Sequence, residues 1–153
     1  MSDPSPAGIF LRPAVAADKP AIRAIICTEG LNPLSIHWNN FLLAEDSKHR
    51  IAGIGAVKTH SDGSRELASI AVLHEWRGRG VARAVIEALI ARESGPLYLT
   101  CRDTMTGFYE RFGFREIGIG EMTPYFRRLF RILGVVIRAI HAGRGPVVMK
   151  REI

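Results

Sequence analysis

The stretch Arg65–Arg92, RELASIAVLHEWRGRGVARAVIEALIAR, constrains the fold of this chain more than any other segment. Leu67, Ala68, Ile70, Ala71, Val72 and Leu73 form a nearly continuous apolar run. Such a run suits a strand covered on both faces, as an interior strand beside a parallel neighbour is. His74-Glu75-Trp76 breaks it, and Arg77-Gly78-Arg79-Gly80 follows. Beyond Gly80, the apolar residues Val81, Ala82, Val85, Ile86, Leu89 and Ile90 fall at the spacing of one helix face. The segment therefore reads as strand, tight loop and helix.

A glycine loop between a strand end and a helix start suits an anion. Glycine removes the Cβ that keeps a ligand off the backbone. The first N–H groups of a helix lack partners within it and carry roughly +0.5 of charge. Phosphate is the natural guest, and Arg77 and Arg79 add mobile positive charge. The loop is not a Walker A loop, because no GKS or GKT follows, and it lacks the third glycine of a dinucleotide fingerprint.

The pattern Arg77-x-x-Gly80-x-Ala82 after an apolar strand resembles the [RQ]-x-x-G-x-[GA] signature of the GNAT superfamily of acyl-CoA N-acyltransferases. Gly107-Phe108-Tyr109-Glu110-Arg111-Phe112-Gly113-Phe114 resembles the same superfamily's Y-x-x-x-G-F segment, about 30 residues downstream. The resemblance covers about residues 9–119 and the last strand. It implies an α/β (α+β) fold: a mixed, mostly antiparallel sheet of about six to seven strands, a central parallel β-α-β unit, and helices on both faces. It also implies acetyl-CoA as cosubstrate and an amine as acceptor. Backbone groups of Ile70, Ala71 and Val72 would hold the pantetheine arm, with an N–H near Val72 polarising the acyl carbonyl. Those of Gly78, Arg79, Gly80, Val81 and Ala82, beside Arg77, would hold the pyrophosphate. Tyr109 matches the family's acid for the departing thiolate. Many members carry an asparagine seven residues before that tyrosine; here the position is Arg102, which puts the local cofactor contacts in question.

Around this centre the chain is expected to form one domain over residues 9–153, after a frayed polar start at 1–8. Ile9-Phe10-Leu11-Arg12 predicts a strand. Asp18 is expected to cap a helix with Pro20 in its first turn and Ala21, Ile22, Ile25 and Ile26 on its buried face. A second short helix is expected over Leu34 to Asn39. Asn32, His37, Trp38 and Asn39 are candidate acceptor contacts through the resemblance, with Trp38 as ordinary core and His37 as surface the plainer reading. Phe41 to Glu45 and Arg50 to Lys58 predict a hairpin. In its second strand Gly53 and Gly55 fit close packing or a bulge equally well. Asp62-Gly63 marks a tight turn into the central strand. Leu97 to Thr100 predicts the next strand, and Gly95-Pro96 the stop before it. A helix over Met105 to Phe112 and a strand over Phe114 to Ile119 follow. A long basic amphipathic helix is expected over about 122–141, stopped by Gly143 to Pro146, and a last strand over Val147 to Lys150.

Charge is uneven: of a net +6, the segment 121–153 carries 7 basic and 2 acidic side chains. A solvated helix face explains this most simply; an acidic acceptor, an anionic membrane surface or nucleic acid are the sharper readings. The long helix also fits a lid on the acceptor site, a homodimer contact or a membrane-surface helix, the first two being favoured. The longest late apolar run, Ile132 to Ile137, is far short of the about 20 residues a transmembrane span needs. Cys27 and Cys101 form no C-x-x-C pattern, and the five histidines show no metal-ligand spacing, so no metal is expected. A cytoplasmic setting fits these thiols.

Glu66, at the start of the central strand and by alternation on the face of Ile70 and Val72, is the first candidate for the base. His60 and His74 are alternatives, as is a water relay. A carboxylate is a weak base toward an ammonium, so Glu66 needs a raised pKa or a relay, or serves only to bind positive charge. No serine nucleophile elbow is present, which favours direct attack by the amine in a ternary complex. The competing functions are a CoA-binding sensor without turnover on the same fold and a basic nucleic-acid or membrane-surface binder. No nucleic-acid-binding signature supports the last.

Overall fold

The computed structural model describes residues 8–34, 36–140 and 145–153, with 135–140 as backbone only. The expectations for residues 1–7, for His141 and for Gly143 as part of the helix stop lie outside them. The strands are β1 (Ile9–Pro13), β2 (Phe41–Asp46), β3 (Ile51–Thr59), β4 (Arg65–Val72), β5 (Leu97–Cys101), β6 (Arg115–Glu116) and β7 (Val147–Arg151). The helices are α1 (Lys19–Thr28), α2 (Val81–Ile90), α3 (Thr106–Glu110) and α4 (Pro124–Ile140). The strands hydrogen-bond in the order β1-β2-β3-β4-β5-β7-β6. This is the mixed sheet that the resemblance implies, with β4 parallel to β5. By contact the chain divides into Met1–Lys58 with Leu67–Arg92, and Thr59–Glu66 with Glu93–Ile153.

In the first unit, β1 runs antiparallel to β2, from Ile9 opposite Asp46 to Pro13 opposite Leu42. β2 runs antiparallel to β3, with a register shift between Ala44 and Glu45. Alternate residues of β3 serve opposite faces, as a pleated strand requires. Ile54 and Ala56 join Ile22, Ile25 and Ile26 of α1, Phe41, Leu43 and Ala71 in one buried cluster. Gly53 and Gly55 serve the other face, which α2 covers. A Cβ on Gly53 would stand 2.9 Å from Val81 Cγ1 and 3.0 Å from the Ala71 carbonyl oxygen. One on Gly55 would stand 2.6 Å from Val85 Cγ1 and 2.7 Å from Ile70 Cδ1. The glycine pair therefore serves close packing.

Two local expectations need correction here. Asp18 precedes α1, but its carboxylate makes no cap bond to the helix. It accepts the Val15 N–H at 2.7 Å and the Arg12 guanidinium at 2.8 Å instead. Arg12 is the stronger attraction, and it holds Asp18 below the usual carboxylate range. Of the helix expected over Leu34 to Asn39, in which Ser35 lies outside the described residues, the described residues show one 3-10 turn, Trp38–Asn40. Asn32 Oδ1 takes the Leu34 N–H at 2.9 Å, a local bond that competes with helix formation.

In the second unit, Arg65 pairs with Leu97 and Glu66 with Tyr98 in the parallel sense. β7 pairs antiparallel with β5 and with β6. Phe126 of α4 is fully buried and clusters with Tyr98, Ile117, Met122 and Val148, with Tyr125, Leu129 and Phe130 packed against them. α4 begins at Pro124, two residues later than the periodicity suggests, because proline suits the first helical position. β6 has two residues where six are expected: Ile117 N–H still bonds the Val148 carbonyl, but Ile119–Glu121 turns into a 3-10 helix. The expected helix Met105 to Phe112 is a 3-10 turn, Asp103–Met105, followed by the five residues of α3.

Candidate functional site

The site residues named from sequence fall in both units. In the first, Gly78 and Gly80 adopt φ of 74° and 79°, the left-handed region glycine enters without a Cβ penalty. Gly80 is the N-cap of α2 and brings no side chain to bond the helix's first N–H groups. Among the described residues, no heavy atom beyond the glycine and its two chain neighbours lies within 4 Å of where a Cβ on either would stand. The start of α2 thus presents unblocked donors and the positive end of its dipole. Val81 is buried and faces β3, while Ala82 is half-buried.

The two arginines of the loop have partners. Arg77 Nε donates to the Val72 carbonyl at 3.1 Å, and its Nη2 lies 2.8 Å from Glu29 Oε2. The Arg79 guanidinium lies over the Trp76 ring, 5.3 Å from its centroid. Arg77 thereby ties the loop back to the strand end at Val72.

Ser69 is a feature that the sequence does not announce. Its φ is 56°, inside β4 and just before Ile70, Ala71 and Val72. A non-glycine residue there costs of order 1–3 kcal/mol and persists only where its surroundings impose it. The extended alternation assumed from Glu66 to Val72 is interrupted at this point, so placing Glu66 on the face of Ile70 and Val72 by counting alone does not hold.

In the second unit, Tyr109 of α3 packs edge-on to Phe108 and Phe114, with centroids 5.1 Å and 6.2 Å away. Burial, with Cys101 adding to it, pushes the Tyr109 hydroxyl up to about 12. It is therefore a proton donor at neutral pH. Burial likewise raises the Cys101 thiol to about 11, so it stays a thiol.

Glu66 is largely buried and paired. Its side chain is 14% exposed and that of His60 12%, and Glu66 Oε2 lies 2.6 Å from His60 Nε2. The His60 ring stacks on Tyr125 at 3.5 Å between centroids, with 10° between planes, and meets Phe126 edge-on at 5.7 Å. Asp62 binds this arrangement together. Its Oδ1 accepts from Ser64 Oγ at 2.6 Å, and its Oδ2 accepts the Tyr125 N–H at the start of α4 at 2.8 Å. Desolvation pulls the Asp62 carboxyl upward, but these bonds outweigh it and hold the group well below the usual range.

Sequence reasoning named His60 only as an alternative to Glu66 and missed Asp62 and Tyr125 as its neighbours. His74 and His37 are exposed, Trp38 packs against the core of the first unit, and Asn39 and Arg102 are exposed. Among the described residues, no group of three or more His, Cys, Asp or Glu could hold a metal ion, and no helix is long and apolar enough to cross a membrane.

Comparison with known proteins gives this geometry a context. Residues 37–116 match the acetyltransferase (GNAT) domain. An uncharacterized N-acetyltransferase of Chlorobaculum tepidum is 30% identical over 83 residues, 53% of this chain and 53% of that relative, so the chain spans about half the length of the curated relative it matches. N-acetylglutamate synthase from Neisseria gonorrhoeae, solved with coenzyme A and N-acetyl-glutamate, superposes with a TM-score of 0.73 at 22% identity, over 94% of this chain and 35% of that one. A Mycobacterium tuberculosis protein solved with CoA gives 0.72 at 21% identity, over 94% of this chain and 99% of that one. At such identities these structures share the fold. The family match covers more than half of the sequence, and the chain belongs to the GNAT acetyltransferase family.

Proposed function

We propose that the protein moves an acetyl group from acetyl-CoA to a primary amine, of a small molecule, an amino acid or a protein, by direct attack of the amine. The observation that carries this reading is the open start of α2. Two glycines with positive φ precede it, no side chain caps it, and among the described residues nothing crowds the positions where their Cβ atoms would stand. These are the properties a pyrophosphate requires of a backbone site. Family membership and the CoA held by two neighbours of the same fold support the choice of ligand. Ile70, Ala71 and Val72 are proposed to bind the pantetheine arm, and Gly78 to Ala82 the pyrophosphate, with Arg77 bracing the loop. Tyr109 is proposed to give its proton to the departing thiolate, and Glu66, together with the His60 bonded to it, to serve the acceptor's ammonium. The units are proposed to act together as one acyltransferase domain.

Thermal unfolding with acetyl-CoA, CoA and ATP side by side tests the proposal. Stabilisation by the two CoA species and not by ATP is expected. No shift with any of them at high concentration means that the glycine loop is structural. Acceptors are then screened by release of the CoA thiol, beginning with L-glutamate because one neighbour was solved with N-acetyl-glutamate.

A further inference from the structure

The turn between β3 and β4 builds a histidine–carboxylate pair whose parts are fixed from three sides. We infer that His60 takes the proton of the acceptor amine at its Nδ1, and that Glu66 acts through His60 as a positioning residue. This rests on the acyl-transfer reading above and assigns its proton acceptor.

An ionised carboxylate can only accept, so the 2.6 Å contact from Glu66 Oε2 to His60 Nε2 requires a proton on Nε2. The neutral ring then carries its free lone pair on Nδ1. Ring orientation is set by stacking on Tyr125 and by the edge contact with Phe126. The backbone beneath it is a tight turn: His60 N–H donates to the Ser64 carbonyl at 2.9 Å, and Gly63 N–H to the His60 carbonyl at 2.9 Å. Asp62, inside that turn, accepts the Tyr125 N–H and so locks the stacking partner to the same turn. A base held to this degree loses little freedom when it acts.

The geometry separates the two groups: Glu66 Oε2 is engaged by the His60 Nε2–H, whereas the lone pair on Nδ1 is free to take a proton. The titratable groups around the ring are Glu66 from β4, which bonds it, Tyr125 from α4, which stacks on it, and Asp62 from the turn, which holds Tyr125. Burial raises the Tyr125 hydroxyl, with Glu66 and Asp62 adding to it, and keeps it neutral. The Glu66 carboxylate compensates the imidazolium as it forms.

The ammonium gives one proton to Nδ1, which passes it to solvent. The neutral amine forms the N–C bond to the thioester carbonyl carbon as the C–S bond breaks. The second amine proton replaces the one Tyr109 has given to the thiolate, leaving amide and CoA thiol.

Two measurements on the full chain test this. In 15N-histidine-labelled protein, long-range 1H–15N spectra from pH 5 to 9 should show His60 as the Nε2–H tautomer once neutral. Glu66→Gln should move its midpoint to lower pH. An Nδ1–H tautomer, or a ring still cationic at pH 9, overturns the inference even if every variant misfolds. In thiol-release assays, His60→Gln should lower kcat/KM by ~10²-fold or more and remove the acid limb of the pH profile. Activity rises as the ring deprotonates, so Glu66→Gln should shift that limb downward while the acetyl-CoA thermal shift stays as in the parent. His60→Gln activity within about threefold of the parent, with the limb unchanged, leaves the pair as a structural clamp only. If the parent chain neither responds to acetyl-CoA nor acetylates any amine, the acyl-transfer reading fails instead.

Discussion

At the scale of single residues, environment decides role. Tyr109 is kept protonated by burial to about 12, so Tyr109→Phe should lower kcat by ~10²-fold while acetyl-CoA still stabilises the variant. The same shift has a stability sign. The folded pKa lies above the unfolded value of about 10, so the contribution of Tyr109 is intact below pH 10 and is lost as pH rises from there toward 12. Asp62 behaves in the opposite sense. Its folded pKa is depressed, so its contribution is intact above the ordinary value of about 3.9 and fades as pH falls below it. Asp62→Ala removes acceptors for Ser64 and for the Tyr125 N–H and should cost about 1–2 kcal/mol, read from urea unfolding at pH 7. The Asp62-Gly63 turn was legible because Gly63 supplies the positive φ such a turn needs, here 81°. The reach of Asp62 to Tyr125 was not, because nothing local encodes a bond to a residue so far along the chain.

At the scale of elements, the close approach of α2 to β3 is what the glycine pair secures. Gly53→Ala should destabilise by about 1–3 kcal/mol in chemical denaturation, since one of its two tight contacts is the Ala71 carbonyl, which no rotamer change can relieve. Helix faces were readable from periodicity: Ile22, Ile25 and Ile26 in α1, and Val81, Val85, Ile86 and Leu89 in α2, are the buried residues named in advance. The β2–β3 hairpin was readable from its two apolar runs, Phe41 to Glu45 and Arg50 to Lys58. What failed were short elements, β6 and the segment around Leu34, where few residues vote and one side-chain bond or one turn changes the outcome. Ser69 is the deeper miss. Its sequence neighbours read as an ordinary strand, and nothing in their alternation signals its positive φ of 56°.

At the scale of the whole chain, ligand binding is the measurable link. Acetyl-CoA at ~100 times its dissociation constant should stabilise the folded state by about 2.7 kcal/mol, a rise of a few degrees in Tm. The basic excess near the C-terminus lies partly on α4, where Arg128 and Arg131 are exposed and Phe126 is fully buried. By itself the sequence determined the family, the order of most elements, the glycine loop and the identity of Tyr109 and Glu66 as candidates. These are written in periodicity, turn chemistry and a short motif, all of which act over a few residues. Tertiary structure alone decided that Glu66 meets His60, that Tyr125 covers the imidazole, and that Arg77 spends its charge on Glu29 and Val72. Hydrogen bonds and ring stacks between distant residues depend on where the folded backbone brings them, and no local pattern carries that information.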